Sequence, residues 1–329
     1  MDEKTYLVDF LLSFELMDDV SEWDDGEKTL LDKVVDDDYR KLIESYTTEI
    51  SSKKIFQKFV TKEYNLLSKF LFRQDEIGDF SSYIATLSQL DISEFKILIA
   101  ETLGLPNESF EFRDLDQANL SAQSKWELFL VIDDFEGVLP RLIEELEKQY
   151  RYYCDIIEVI EASYGQKIQD LRNLINEEKT LYDTIFEDIL TQELFDEHQE
   201  FLILYLSIHR VMINYKNNHK LLAIGLYVYD YYLEKKKQQA VDYEVMQNVL
   251  KVLADQTRYG IIKCIGRGIT SNKEIAKLFS ISPPGVTYQL KYLAENDIIY
   301  KDNLTKHYVI NKELIRFSLA NVLIDLDIE

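Results

Sequence analysis

Proline is scarce in this chain and unevenly placed: four among 329 residues, with two side by side at Pro283 and Pro284. Cysteine is scarcer, and Cys154 and Cys264 are too few and too far apart for a disulfide framework. No apolar run approaches the roughly 18 residues of a membrane span. The first residues, MDEKTYLVDF, are acidic and lack the basic, apolar and small-residue order of a secretory signal. Catalytic fingerprints are missing as well. There is no phosphate-binding loop, no dinucleotide glycine pattern, no G-x-S-x-G and no H-E-x-x-H. These absences predict a soluble, cytoplasmic protein without cofactor that is not an enzyme, with an unrecognised active site in residues 1–242 as an alternative.

Net positive charge is also lacking, at −23 overall, which at first argues against nucleic acid as a partner. The distribution points the other way. Residues 243–312 carry ten Lys/Arg against six Asp/Glu, whereas residues 1–242 carry −24. With 46% hydrophobic and 29% charged residues the chain is globular. A strongly acidic part joined to a neutral-to-basic one predicts two domains, 1–242 and 243–329. The acidic part reads as a solvated surface that also limits non-specific adhesion to DNA.

Residues 1 to about 198 read as mostly helical, from long charged stretches and apolar spacings near 3.6. The stretch Thr102-Leu-Gly-Leu-Pro106 looks like a helix stop. From Phe201 the run FLILYLSIHRVMINYKNNHKLLAIGLYVYDYY is rich in β-favouring residues. It predicts two or three strands with a hairpin turn at the polar centre 216–219. Tyr227, Tyr229, Tyr231 and Tyr232 then read as half-buried packing on a strand, with a ligand pocket as the sharper alternative. Glu234–Asp242 is a polar connector, read as a loop or as the start of a helix. The fold class expected is α+β and mostly α: a large, mainly helical N-terminal domain with a small β portion, then a C-terminal module.

That module opens with an amphipathic helix from Asp242 to Leu253. Asp255 can cap a second helix burying Ile261, Ile262 and Ile265. Ser271-Asn-Lys-Glu274 has the form of a capping box for a third. Ser282 caps a fourth, in which the two prolines occupy positions whose amides have no intrahelical partner. Val286, Leu290 and Leu293 make its buried stripe, leaving Pro284, Gly285, Thr287, Tyr288 and Lys291 outside. "IIYKDNLTKHYVI" reads strand, turn, strand, and an apolar helix from about Lys312 to Ile328 follows. Helix, short turn, helix and hairpin in that order predict a winged helix-turn-helix, with the helix from Pro283 to Glu295 in the major groove.

Leu253-Ala-Asp-Gln-Thr-Arg258 with Ile261-Ile262, and "SNKEIAKLFSISPPGVTYQLKYL", together resemble the core of ArsR-type winged-helix transcriptional repressors over residues 245–311. The resemblance implies a sequence-specific regulator of transcription, a repressor by family habit, acting on a double-stranded DNA operator. By position, Thr287 matches the family's DNA-facing serine, Tyr288 the variable residue after it, and Gln289 replaces the usual histidine. Lys273, Lys291 and Lys301 are expected to position phosphates, and Lys306 belongs to a short wing. Ser282, Pro284 and Gly285 complete the expected DNA-facing set. The metal sensing of the family's founders is not expected. No cysteines cluster, the terminal helix has no histidine, and Cys264 reads as a small buried hydrophobe.

One recognition helix covers only a few base pairs, so a homodimer is expected, held at least partly by the terminal helix. The acidic domain is left with a regulatory, effector-sensing or dimer-supporting role. A module that uses the same fold to bind protein is the runner-up.

Overall fold

The computed structural model describes residues 3–19, 25–105, 110–187, 189–198, 200–214, 220–269, 271–302, 307–326 and 328. Among the described residues the chain is mostly helical, with three small sheets. It divides into two compact units, Met1–Glu234 and Lys235–Glu329. The connector Glu234–Asp242 is helical, inside a helix running Val228–Ala254, as its lysines and glutamines favour. Among the described residues, no helix is long and apolar enough to cross a membrane.

Several helices of the first unit begin where an oxygen-bearing side chain takes an orphan amide. Asp36, Asp79, Asp91 and Ser121 each accept from a backbone N–H of the first turn. The expected stop at Gly104 is present. That residue is left-handed (φ 67°), and Leu105 N–H closes on the Ala100 carbonyl at 2.8 Å.

The opening helix, Glu3–Ser13, is buried at nearly every position from Thr5 onward, which makes it a core element rather than a surface one. Phe10 packs edge-on against Phe14 and Tyr150, with centroids 5.0 and 5.1 Å apart. In this aromatic core lies a fully buried acid, Asp9. Its carboxylate accepts from the Tyr153 hydroxyl at 2.9 Å and from Leu206 N–H at 3.3 Å. Burial pushes its pKa up to about 7, against the pull of those hydrogen bonds.

A second fixed point is Asp36. Besides capping Tyr39, it accepts from the hydroxyls of Tyr164 at 2.7 Å and Tyr227 at 2.9 Å. Tyr164 is the one residue of the Phe135–Ile175 helix with non-helical torsions (φ −119°, ψ 18°). The Asp36 contact is therefore made at a kink.

The β-rich stretch forms a three-stranded sheet. Leu221–Gly225 is central, paired antiparallel with Val211–Asn214 and parallel with Glu200–Leu204. Residues 215–219, where the turn was expected, lie outside the described residues. The central strand is buried along its whole length, which suits its run of apolar residues. The segment after the first strand crosses over Gly225: a Cβ there would stand 2.2 Å from the Ser207 carbonyl oxygen and 2.3 Å from the Ile208 carbonyl carbon. Only glycine fits.

The strand reading of the tyrosine ladder is corrected. Tyr229, Tyr231 and Tyr232 lie in the helix Val228–Ala254. A β-favouring tripeptide spacing is overridden there by the helix-forming run Leu233–Ala240 that follows it.

In the second unit, Val249, Val252, Ile261, Ile265, Ile275, Val286, Leu290, Leu293 and Ile298 close one core. Cys264 is buried in it. Elements follow as Gln256–Gly266, Asn272–Phe279, Pro283–Glu295, the antiparallel pair Ile299–Lys301 with Tyr308–Ile310, and Lys312–Asp325.

Candidate nucleic-acid interface

Two helices, Asn272–Phe279 and Pro283–Glu295, pack together across a three-residue turn. Ser280 makes the turn by adopting left-handed torsions (φ 54°, ψ 37°), and Ile281 N–H returns to the Ala276 carbonyl at 3.1 Å. Ser271 caps the first helix by accepting from Glu274 N–H, and Ser282 caps the second by accepting from Gly285 N–H at 3.2 Å. Pro283 and Pro284 take the first two positions. There they leave no carbonyl unsatisfied, because those amides would have no partner in any helix.

With Val286, Leu290 and Leu293 turned into the core, the other face of Pro283–Glu295 is open. Pro284 and Thr287 are exposed, Tyr288 is 64% exposed, and Gly285 and Gln289 are half-buried. Gly285 does not adopt a left-handed φ, and a Cβ there would sit 3.3 Å from the Ser282 hydroxyl. Its contribution is a low surface beside the cap.

The exposed groups differ in how far they are already committed. Thr287 donates its hydroxyl proton to the Pro283 carbonyl and accepts from Asn272 Nδ2, each at 3.2 Å. That leaves one lone pair facing out, so in this rotamer Thr287 can only accept. Gln289 gives its carbonyl oxygen to Arg258 Nε at 3.1 Å. The Arg258 guanidinium in turn lies 3.8 Å above the Tyr292 ring. Lys291 pairs with Glu295 at 3.4 Å, but both side chains are more than half exposed. Such a pair contributes little and opens readily to another anion.

Lys273 is exposed on the neighbouring helix. Lys301 is exposed on the hairpin, its ammonium 5.4 Å from the Tyr308 ring centre. Lys306 lies outside the described residues. Ser282 to Lys291 and Lys273 thus belong to two packed helices, and Lys301 stands on the strand that follows them.

Two contributors escaped the sequence reading. Asn272 fixes the Thr287 hydroxyl, and Arg258 fixes Gln289. Arg258 closes the quoted Leu253–Arg258 motif, so the signal existed; its partner 31 residues on could not be read from spacing. Among the described residues, no group of three or more His, Cys, Asp and Glu comes together as a metal-binding set. Comparison with protein-family models, with curated proteins and with solved structures found no match.

Proposed function

We propose that the second unit is a winged helix-turn-helix of the ArsR type and that the chain is a DNA-binding transcriptional regulator, a repressor, with Pro283–Glu295 in the major groove. The observation that carries this reading is the open face of that helix. A capped, proline-started helix presents Thr287, Tyr288 and Lys291 outward while its opposite side holds the core. Charge supports it: residues 235–329 hold fourteen Lys/Arg against eleven Asp/Glu in a chain of net −23. In this reading the hairpin is the wing, and Lys301 meets the backbone beside the groove. Thr287, limited to accepting, favours a base-edge amino donor such as adenine N6 or cytosine N4.

The partner for assembly in this reading is a second copy. The terminal helix uses Leu314 and Ile315 on the unit's own core. Phe317, Leu319, Leu323 and Leu326 remain exposed, Leu326 at 62%. Of these, Leu319, Leu323 and Leu326 recur at i, i+4 and i+7, and such an apolar row left in water matches what a two-fold contact between copies buries. The helix Val228–Ala254, by contrast, already turns Val249 and Val252 into the core of its own unit.

The test is a titration of full-length protein into labelled random duplex DNA at several salt concentrations. Binding that weakens linearly in log-log form with added salt, by several powers, is expected. Affinity for duplex no better than for single strands, or no salt dependence, would count against the proposal.

A further inference from the structure

The first unit holds a cleft of about 510 Å³ between the end of the Phe135–Ile175 helix and the edge strand Glu200–Leu204. That volume falls within the range of small-ligand sites. Its charge is out of keeping with its surroundings. Glu200 is neutralised by an ion pair with Lys4. Arg172 lines the same cleft beside Tyr205 and pairs with no carboxylate among the described residues. Asn176, one helical turn on, adds an exposed amide to the same wall. Ile175 and Phe201 supply apolar surface beside these donors.

An unpaired guanidinium in a unit that is otherwise crowded with carboxylates is notable, because a nearby acid would normally neutralise it. Here the cleft keeps it available, next to an amide donor and an apolar wall. We infer that this cleft binds a small organic anion, a carboxylate or sulfonate with an apolar body. The acid head would be taken by Arg172 and Asn176, and the body would lie along Ile175 and Phe201. The site is independent of the DNA-binding reading and stands or falls separately.

The probe is anilinonaphthalene sulfonate, with N-phenyl-naphthylamine as the same apolar body without the acid. Full-length protein is expected to bind the sulfonate at one site that Arg172→Gln weakens roughly tenfold or more, the loss of a charged hydrogen bond. Asn176→Asp, an exposed position where misfolding is not a concern, should weaken it similarly by setting a like charge against the head. The neutral amine should bind at least tenfold more weakly than the sulfonate. Octanoate should compete. Sulfonate binding unchanged in both variants, as it would be if the dye lay on the terminal helix, overturns the inference. So does equal binding of the neutral amine, or no saturable binding at all.

Discussion

Replacing Asp9 by Asn should remove a specific part of the pH dependence of stability. Asp9 is fully buried, and burial raises its pKa from the ordinary 3.8 to about 7. An acid whose folded pKa lies above its unfolded value favours folding only while it stays protonated. The stability it supports is full below about pH 4 and is lost as pH climbs through about 7. At ~1.4 kcal/mol per pH unit, the gap corresponds to at most about 4 kcal/mol. An asparagine carbonyl can still accept from Tyr153, while its amide must meet the Leu206 N–H that now donates to the carboxylate. The level of stability therefore depends on that fit, and the slope is the cleaner readout. Urea unfolding followed by near-ultraviolet circular dichroism of the buried tyrosines at pH 5, 6, 7 and 8 supplies it. The wild-type stability minus that of Asp9→Asn should fall by about 1 kcal/mol per unit between pH 5 and 7 and level off above. Subtracting the variant cancels the other carboxylates. A difference that stays flat within ~0.5 kcal/mol across the range would mean that Asp9 ionises as readily folded as unfolded, and the argument from burial fails.

Gly225→Ala should cost about 2–3 kcal/mol, since a Cβ meets the backbone of Ser207 and Ile208 at 2.2–2.3 Å and neither strand nor crossing segment can swing aside; a denaturation midpoint within error of wild type would refute this. Ser280→Gly should raise the stability of the second unit by ~0.5–1 kcal/mol, because a left-handed φ of 54° strains any residue with a Cβ; a loss of stability would show that the serine side chain holds the turn. Tyr288→Ala should weaken binding to a specific site by about 1–3 kcal/mol and leave random DNA nearly unaffected, whereas Lys291→Ala should weaken both and reduce the salt slope by about one; equal losses on both kinds of DNA for both variants would remove the division between base reading and phosphate contact. Leu323→Glu combined with Leu326→Glu should shift sedimentation from dimer to monomer without altering helix content, because both side chains are exposed; an unchanged dimer would place the contact elsewhere.

What could be read from the sequence was local. Capping at Ser271 and Ser282, the start at Pro283, the buried stripe of Val286, Leu290 and Leu293, and the stop at Gly104 depend on neighbours within a turn. Their chemistry is written in adjacent residues. What escaped the reading was long-range. The parallel pairing of Glu200–Leu204 with Leu221–Gly225 joins strands across an intervening one, and strand composition does not encode a partner. Tyr229 to Tyr232 have strand-like content but lead into a helix-forming run that decides their state. Asp9 reads as one more acid in an acidic chain until the opening helix is seen to be buried on all sides. The open face of the candidate site was legible from periodicity. The Arg258–Gln289 and Asn272–Thr287 bonds that restrict it were not, because they depend on how two helices cross.

The most direct test of the central claim is selection of binding sites from a random duplex library by full-length protein, carried out beside the Thr287→Ala, Tyr288→Ala double variant. The wild type should enrich a near-palindromic sequence with half-sites about one helical turn, ~34 Å, apart, and the double variant should lose that enrichment while still binding DNA weakly through its lysines. A wild-type selection that enriches no sequence, or one that enriches the same sequence whether or not Thr287 and Tyr288 are present, would contradict the assignment of the Pro283–Glu295 helix to the major groove.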